Sequence, residues 1–534
     1  MTNRLHISGQ LIEFESDRYE QSDEGSFIYG KEVSIHVPFK IKEFYQHGWQ
    51  SWSLTAWFDP SIYPGNSYPK SLNVMQNDLQ YAELDHPNGS WLGAVSNFEG
   101  EILFIGSLDL GSHVELIGQN IIGKNETKVG KWFMSIGKEN EVFSSYLSIL
   151  SKKLGKTKIT KSPRIWCSWY SLYEEISEEF LLKVCEDLHD YPFDVIQVDD
   201  GWQLKVGDWK PNNKFPSGME ALAEKICLSG KKAGIWLAPL LVTPSSNMYK
   251  EHRDWLLRSE NGNPIIAGFN WNERLFALDT TMPMVLEWLT DLMKEVRRWG
   301  FEYVKLDFLY AGALNGVRHL NSPREDAFRL GLQTIREALG DAFLLTCGTP
   351  IIPSIGLCDA MRIGPDVSGV WSPFLENKLM NNYSVPGVQN AIRTSINRLW
   401  LQPLILTDPD VVYFQNEGNS LDKYQKGQLQ SLAVIANYKA TSDIPHLNSS
   451  EEKKIIMSFL EEDPEVIRTN RYSYKIRGKD SDFSEIVPLL PELNLLESIL
   501  QKITMEISNF LFVLRFFGKI NSIIRKQTIK RIFQ

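Results

Sequence analysis

Cysteine is scarce in this chain and unevenly placed. Five occur in 534 residues, all between positions 167 and 358, and none precedes them. An odd count clustered in this way excludes a disulfide framework and fits a reducing compartment. Histidine is also rare, at nine, and no pair has metal-ligand spacing, so no zinc and no cofactor is expected. No glycine-rich loop has the spacing that cradles phosphate. No apolar run reaches the length of a spanning helix. The opening Met1-Thr2-Asn3-Arg4-Leu5-His6 leads into no apolar stretch of the kind a secretory leader carries. These absences predict a cytoplasmic protein without a spanning segment and argue against a membrane partner. The net charge of −10 argues against nucleic acid as a partner, which requires clustered positive charge.

Hydrophobic residues, by contrast, make up 43% of the chain, and sixteen are Trp. That is enough for large cores, and the length points to two or three domains. Each Trp alone is as easily core as binding site. As a set they suit sugar recognition, because the apolar face of a pyranose packs on a flat ring.

Residues 1–155 read as an antiparallel β-sandwich. Short apolar stretches such as Val33-Ser34-Ile35-His36-Val37 and Ile102-Leu103-Phe104-Ile105 recur between turn residues. The basic, polar stretch 152–162 marks a domain junction. From Arg164 onward strands and helices alternate, the pattern of parallel strands with crossover helices. Strands are expected at 165–170, 195–198, 234–238, 303–306, 343–347, 359–362 and 404–406. Helices are expected at 178–190, 219–229, 284–299, 324–339, 388–401 and 424–438. The repeat occupies about 280 residues, the size of a (β/α)8 TIM barrel, and places that domain at 160–445. Residues 446–534 form a C-terminal region of uncertain fold. Its last part, from Ile507, combines Phe and Ile with Arg and Lys. That composition fits a basic amphipathic, membrane-surface helix, an ordinary terminal helix, or a tail without a folded role.

Three apolar runs stop on carboxylates, as strands do at the catalytic rim of such a barrel. They end at Asp199-Asp200, Asp307 and Asp366. Lys305 and Asp307 stand two apart and share a strand face. They form either a structural salt bridge or a cation beside an ionised nucleophile. Arg362 and Asp366 flank Ile363-Gly364-Pro365, which cannot continue a regular strand. Asp366 is then either a turn-stabilising Asp or a general acid held over the barrel mouth. The turn at Gly201-Trp202 allows both Asp199 and Asp200 to accept hydrogen bonds from sugar hydroxyls. A calcium site there lacks the spaced oxygen ligands it would need. Trp169, Trp236 and Cys347 end strands and read either as core or as pocket lining.

In order, Trp166-Cys167-Ser168-Trp169-Tyr170, Ile196-Gln197-Val198-Asp199-Asp200-Gly201-Trp202-Gln203, Gly234-Ile235-Trp236-Leu237-Ala238-Pro239, Val304-Lys305-Leu306-Asp307-Phe308 and Arg362-Ile363-Gly364-Pro365-Asp366 resemble the retaining α-galactosidases of glycoside hydrolase family 36. That family shares its clan with family 27. The resemblance implies a β-sandwich, a catalytic (β/α)8 barrel and a small C-terminal β-domain, the last altered or missing here. It implies Asp307 as nucleophile and Asp366 as acid/base. Asp199 and Asp200 match the acids that hold the galactose hydroxyls at C4 and C6. Lys305 and Arg362 match basic residues that orient hydroxyls and carboxylates, and Trp169, Trp236 and Cys347 match pocket positions. Gly48-Trp49-Gln50-Ser51-Trp52-Ser53 is similar to a loop that reaches the site, with Trp49 as its contact. Leu306 departs from the Trp that many members carry there.

The expected activity is hydrolysis of terminal α-galactosyl residues from oligosaccharides such as melibiose or raffinose, with retention. The alternatives are an α-N-acetylgalactosaminidase, a galactosyl transferase of the raffinose-synthase type, or a non-catalytic sugar-binding protein.

Overall fold

The structure is a computed structural model and describes residues 2–23, 25–65, 67, 70–490 and 495–513. Two antiparallel sheets build its N-terminal part. The six-stranded sheet runs Thr2–Ile7, Gln10–Glu15, Glu32–His36, Asn120–Asn125, Ser112–Ile117, Asn88–Ser90. The seven-stranded sheet runs Arg18–Ser22, Gly25–Gly30, Gly130–Lys138, Glu101–Ser107, Leu92–Ser96, Glu43–Gln46, Ala56–Phe58. Alternation along each strand sends every second side chain inward. The register places Phe14 opposite Ile35 and Ile35 opposite Ile121. These residues meet Ile28, Phe44, Leu103, Ile105 and Met134 of the other sheet in one apolar cluster. The outer face of the seven-stranded sheet is covered by helix Glu139–Leu154, whose Phe143 and Tyr146 rings lie 5.2 and 5.0 Å from Phe104.

The next part holds an eight-stranded sheet ordered Leu406–Asp408, Ala360–Arg362, Phe343–Thr346, Tyr303–Leu306, Lys232–Leu237, Val195–Val198, Ile165–Cys167, Ala440–Thr441. Every pairing is parallel. Val412, just past the first of these strands, forms a parallel bridge to Thr441 on the last and donates its N–H to Ala440 O at 2.9 Å. The two edges of the sheet therefore meet. Val195–Val198 and Tyr303–Leu306 are buried throughout, which is why they read as continuous apolar runs. The crossover helix Pro283–Arg298 buries Val285, Leu289, Leu292, Met293 and Val296 along one stripe, the 3.6-residue period made physical.

Several expected boundaries move. The first strand stops at Cys167, and a short helix, Trp169–Leu172, begins where strand was expected. There Ser168 turns away to donate its N–H to Gln197 O and to accept Asp199 N–H on its hydroxyl. The helix expected over 388–401 ends at Ile396, and Arg398 adopts φ −114°, ψ 0°. The seventh strand is Leu406–Asp408, shifted from 404–406. Two excursions gave no periodic signal because their strands are short or polar. One is the hairpin Gln203–Lys205 with Asp208–Pro211, and the other the sheet of Leu241–Val242, Glu273–Ala277 and Ile266–Asn270.

After helix Ser450–Glu461 comes a small antiparallel sheet of Val466–Arg468, Ser473–Ile476 and Lys479–Asp482. Helix Leu495–Val513 then turns its polar side to the body. Glu497 pairs with Lys378, and Gln501 donates to Asn381 Oδ1 at 3.1 Å. Its Leu495, Leu496, Ile499 and Ile503 face outward. The Lys/Arg-rich segment from 514 lies outside the described residues. Among the described residues no helix is long and apolar enough to cross a membrane.

The antiparallel and parallel parts are locked by buried charge. Glu325, on helix Arg324–Leu339, accepts Trp49 Nε1 at 3.1 Å, Trp91 Nε1 at 2.9 Å and Gly111 N at 2.7 Å. Burial pushes its carboxyl up to about 7. Arg324 beside it pairs with Asp78 and Glu126, both at 2.6 Å. Arg398 is fully buried and donates to the carbonyls of Gly48, Gln50, Ser51, Ser53 and Ile363 at 2.6–3.1 Å. An uncompensated buried guanidinium is costly, and five carbonyl dipoles offset that cost. Each carbonyl left unpaired in the interior costs about 1–3 kcal/mol. Arg398→Met is therefore expected to lower stability by about 3 kcal/mol or more, read as an earlier urea-unfolding midpoint with loss of activity.

Candidate active site

The carboxylates sit where the parallel strands end. Asp307 comes directly after Tyr303–Leu306, donates its N–H to Leu237 O at 2.8 Å, and so stays in strand register. Its Oδ2 accepts Trp236 Nε1 at 3.0 Å and its Oδ1 accepts the Phe308 N–H at 2.8 Å. Phe308 takes a left-handed conformation at φ 54°, which turns the chain away at once and leaves the carboxylate at the rim.

Asp199 ends Val195–Val198. Its Oδ2 accepts Lys305 Nζ at 3.0 Å and Gln197 Nε2 at 2.5 Å. The Lys305 ammonium, expected beside Asp307, is thus committed to Asp199. Asp200 presents Oδ1 to Gln203 Nε2 at 2.5 Å and Oδ2 to Trp271 Nε1 at 2.7 Å. Burial, reinforced by nearby Glu174, pushes the Asp200 carboxyl up to about 7. The chain clears the site at Gly201, whose φ is 118° and where a Cβ would lie 2.7 Å from Glu174 O.

Asp366 lies beyond Ala360–Arg362 on the turn that Gly364-Pro365 forces. Arg362 holds it through Nη1–Oδ1 at 3.0 Å, and also holds Asp408 at 3.0 Å and Asp410 at 2.8 Å. One guanidinium thus serves three carboxylates. Desolvation, with Asp410 and Asp307 adding negative charge, outweighs the Arg362 attraction and raises Asp366 to about 7. The same crowding raises Asp410, which accepts hydrogen bonds from the Tyr170 hydroxyl and from Val367 N–H at 2.9 Å.

These groups line one cavity of about 270 Å3, at the small end of ligand pockets. Asp199, Asp200, Lys305, Asp307, Asp366, Trp169 and Trp236 all reach its wall. Arg362 and Cys347 stand behind it. Cys347 is buried, and burial, aided by the Asp307 charge, pushes its thiol well above the ordinary range. Trp49 is the expectation that the structure places elsewhere. Its indole is turned to Glu325, and the loop meets the cavity through Trp52 instead. Gln50 explains the swap, because its Oε1 accepts Trp52 N–H at 2.8 Å and winds the loop into a turn. Gly348, at φ 52°, makes room for Trp52, whose ring would stand 2.9 Å from a Cβ there.

Sequence reasoning missed Gln76, Tyr170, Trp271, Ser368 and Ser384 in this wall. Gln76, Trp271, Ser368 and Ser384 come from the N-terminal part, an inserted hairpin and irregular segments, where no strand-end pattern marks them, and Tyr170 follows Trp169 in the short helix Trp169–Leu172 that replaces the expected strand end. Trp52 Nε1, Gln76 Oε1 and Ser368 Oγ have no partner within the described protein. A cavity with aromatic faces, crowded carboxylates and unpaired polar atoms is suited to a small polyhydroxylated ligand. Among the described residues no group of His, Cys, Asp and Glu is arranged to hold a metal ion.

The Melibiase family model matches residues 132–344. Among curated proteins, a probable α-galactosidase G of Aspergillus terreus is 27% identical over 207 residues, 34% of this chain and 26% of that protein. The α-galactosidase 2 of Pediococcus pentosaceus is 29% identical over 31% of this chain and 24% of its own length. The matches thus span about a quarter of these relatives. Among solved structures, the GH36 α-galactosidase AgaA of Geobacillus stearothermophilus shares the fold at 14% identity, with a TM-score of 0.56 over 84% of this chain and 67% of its own. TtGalA, the α-galactosidase of Thermus thermophilus solved with p-nitrophenyl α-D-galactopyranoside, superposes with a TM-score of 0.87 at 38% identity, over 91% of this chain and 100% of its own. Agreement over that relative's whole length, in sequence and in backbone, means that the chain belongs to glycoside hydrolase family 36, the family of the melibiase-type α-galactosidases.

Proposed function

We propose that the chain is a retaining α-galactosidase that releases terminal galactose from small oligosaccharides such as melibiose or raffinose. One observation carries this reading. Two acids remote in sequence, Asp307 and Asp366, line a single cavity, and Asp366 is held near neutral pKa by burial and by neighbouring carboxylates. The solved relatives bound to p-nitrophenyl α-D-galactopyranoside and to stachyose support the substrate class. On this reading residues 1–155 are the β-sandwich domain, 160–445 the (β/α)8 barrel and 446–534 the C-terminal region. Five free cysteines support a cytoplasmic setting.

Asp307 attacks the anomeric carbon as the bond to the departing oxygen breaks, and that oxygen takes the Asp366 proton. A galactosyl ester on Asp307 results. Asp366, now ionised, accepts a proton from a water whose oxygen attacks the same carbon. The ester breaks, Asp307 is free again, and two inversions give net retention. Trp236 and the Phe308 N–H hold the nucleophile in place, and Arg362 holds the acid, so neither spends binding energy on alignment. Asp199, Asp200 and Lys305 bind hydroxyls, Trp169 and Trp236 offer ring faces, and Cys347 backs the pocket.

Asp307→Ala is expected to abolish turnover of p-nitrophenyl α-galactoside. Added azide then yields β-galactosyl azide, read by NMR, and wild-type turnover by the variant overturns the assignment. Asp366→Ala is expected to slow melibiose cleavage by about 10²–10⁴-fold, the worth of a positioned acid. The p-nitrophenyl substrate suffers less, because its leaving group needs little protonation. The acid must be protonated to donate, so kcat/KM is expected to fall as pH rises through about 7, the value to which Asp366 is lifted, approaching tenfold per pH unit beyond it. A profile flat to pH 9 contradicts the role of Asp366. A panel of α-galactoside, N-acetyl-α-galactosaminide, α-glucoside and β-galactoside substrates separates this activity from its relatives.

A further inference from the structure

Trp271 stands at the tip of the hairpin formed by Ile266–Asn270 and Glu273–Ala277. Trp271 and Asn272 are its two turn residues, and both are left-handed, at φ 49° and 59°. Such a primed turn suits the strand twist but calls for Asn or Gly. A bulky residue with positive φ is unfavourable and persists only where the surroundings hold it in place. Trp271 packs against the edge of the core with its ring half-buried, so part of the side chain stays open to the cavity.

The stem of the hairpin is fixed on several sides. Tyr310 donates its hydroxyl to Ala267 O at 2.5 Å, and Glu273 accepts Ser245 N–H at 2.9 Å. Gly268, at φ 139°, leaves its Cβ position to the Met75 side chain. At the tip, Asn270 Oδ1 accepts Trp271 N–H at 2.9 Å. This frame delivers an indole N–H 2.7 Å from Asp200 Oδ2 and a ring centred 5.3 Å from Phe308 and 6.2 Å from Trp236. Trp236 is the residue that holds Asp307. A carboxylate has about four lone-pair sites. Gln203 and Trp271 each take one on Asp200, a residue of the cavity wall.

We propose that Trp271 is a substrate-positioning residue. Its N–H fixes which lone pairs of Asp200 are offered to the sugar hydroxyls, and its ring ties that end of the pocket to the wall beside the nucleophile. The inference rests on reading the cavity as a hexose site. The strained turn is then the cost of placing an indole where a regular turn residue would leave the wall open.

The test uses Trp271→Phe and Trp271→Ala in the full chain, with p-nitrophenyl α-galactoside for turnover, titration calorimetry with galactose for binding, and thermal unfolding as a check on folding. Trp271→Phe keeps a ring and loses the donor. It is expected to raise KM and the galactose Kd about tenfold or more, the scale of one hydrogen bond to a charged group, while kcat stays within about twofold. Trp271→Ala loses the ring as well and is expected to weaken binding further. Wild-type KM and Kd in both variants overturn the proposal, as does a loss of activity that only tracks a lowered unfolding temperature. A wild-type protein that binds galactose without hydrolysing the galactoside defeats the proposed activity and leaves the calorimetric comparison to decide the role of Trp271.

Discussion

The buried guanidinium of Arg398 is the constraint on which the rest of the molecule turns. It gathers four carbonyls of one N-terminal loop and a fifth from Ile363, three residues before Asp366. A cation in that position cannot be rehydrated without taking the two halves apart. It also breaks the helix that sequence periodicity carries through it, because a helical Arg398 would not aim its fork at the loop. Glu325 makes the complementary contact on another face, with two indoles and a backbone N–H converging on one carboxyl. Antiparallel and parallel sheets thus meet through two buried groups of opposite type, each drawing most of its hydrogen-bond partners from the N-terminal part.

Inside the pocket the same physics works through imbalance. Lys305 is matched to one carboxylate and Arg362 is shared among three. Positive charge is therefore spread too thinly to keep every acid ionised in a desolvated cleft, and Asp366 and Asp410 move upward together. A carboxyl is raised under these conditions by neighbours that make its negative form expensive, and Asp410, held by Tyr170 and by two backbone N–H groups, is such a neighbour of Asp366.

Much of this was legible in the residues. Runs such as Val195-Ile196-Gln197-Val198 and Tyr303-Val304-Lys305-Leu306 stop on Asp because the end of a buried strand exposes the next side chain, and that pattern pointed to Asp199 and Asp307, whereas Asp366 was read from the Gly364-Pro365 turn. Trp236 and Trp169 came from the same rule. The features that stayed hidden lie off the strands. Trp49 and Trp52 belong to one short motif, and only the turn closed by Gln50 decides which of them faces the cavity. Trp271 sits in an inserted hairpin whose two five-residue strands fall outside the strand–helix alternation of the chain, at a turn position its residue type argues against. The Lys305 partner was misjudged because two residues on one strand face need not bond each other when a neighbouring strand offers a nearer acid.

Gly348 carries a broader implication. The space left by its missing side chain is filled by an indole from a different part of the polypeptide, so the cleft has a wall that its own scaffold does not encode. A fragment comprising the central scaffold alone would lack that wall, as it would lack the carbonyls that hold Arg398. The Gly348 contact thus adds a steric dependence to the polar ones that already join the two modules, and a change in how they dock would reshape the cleft without substituting either acid.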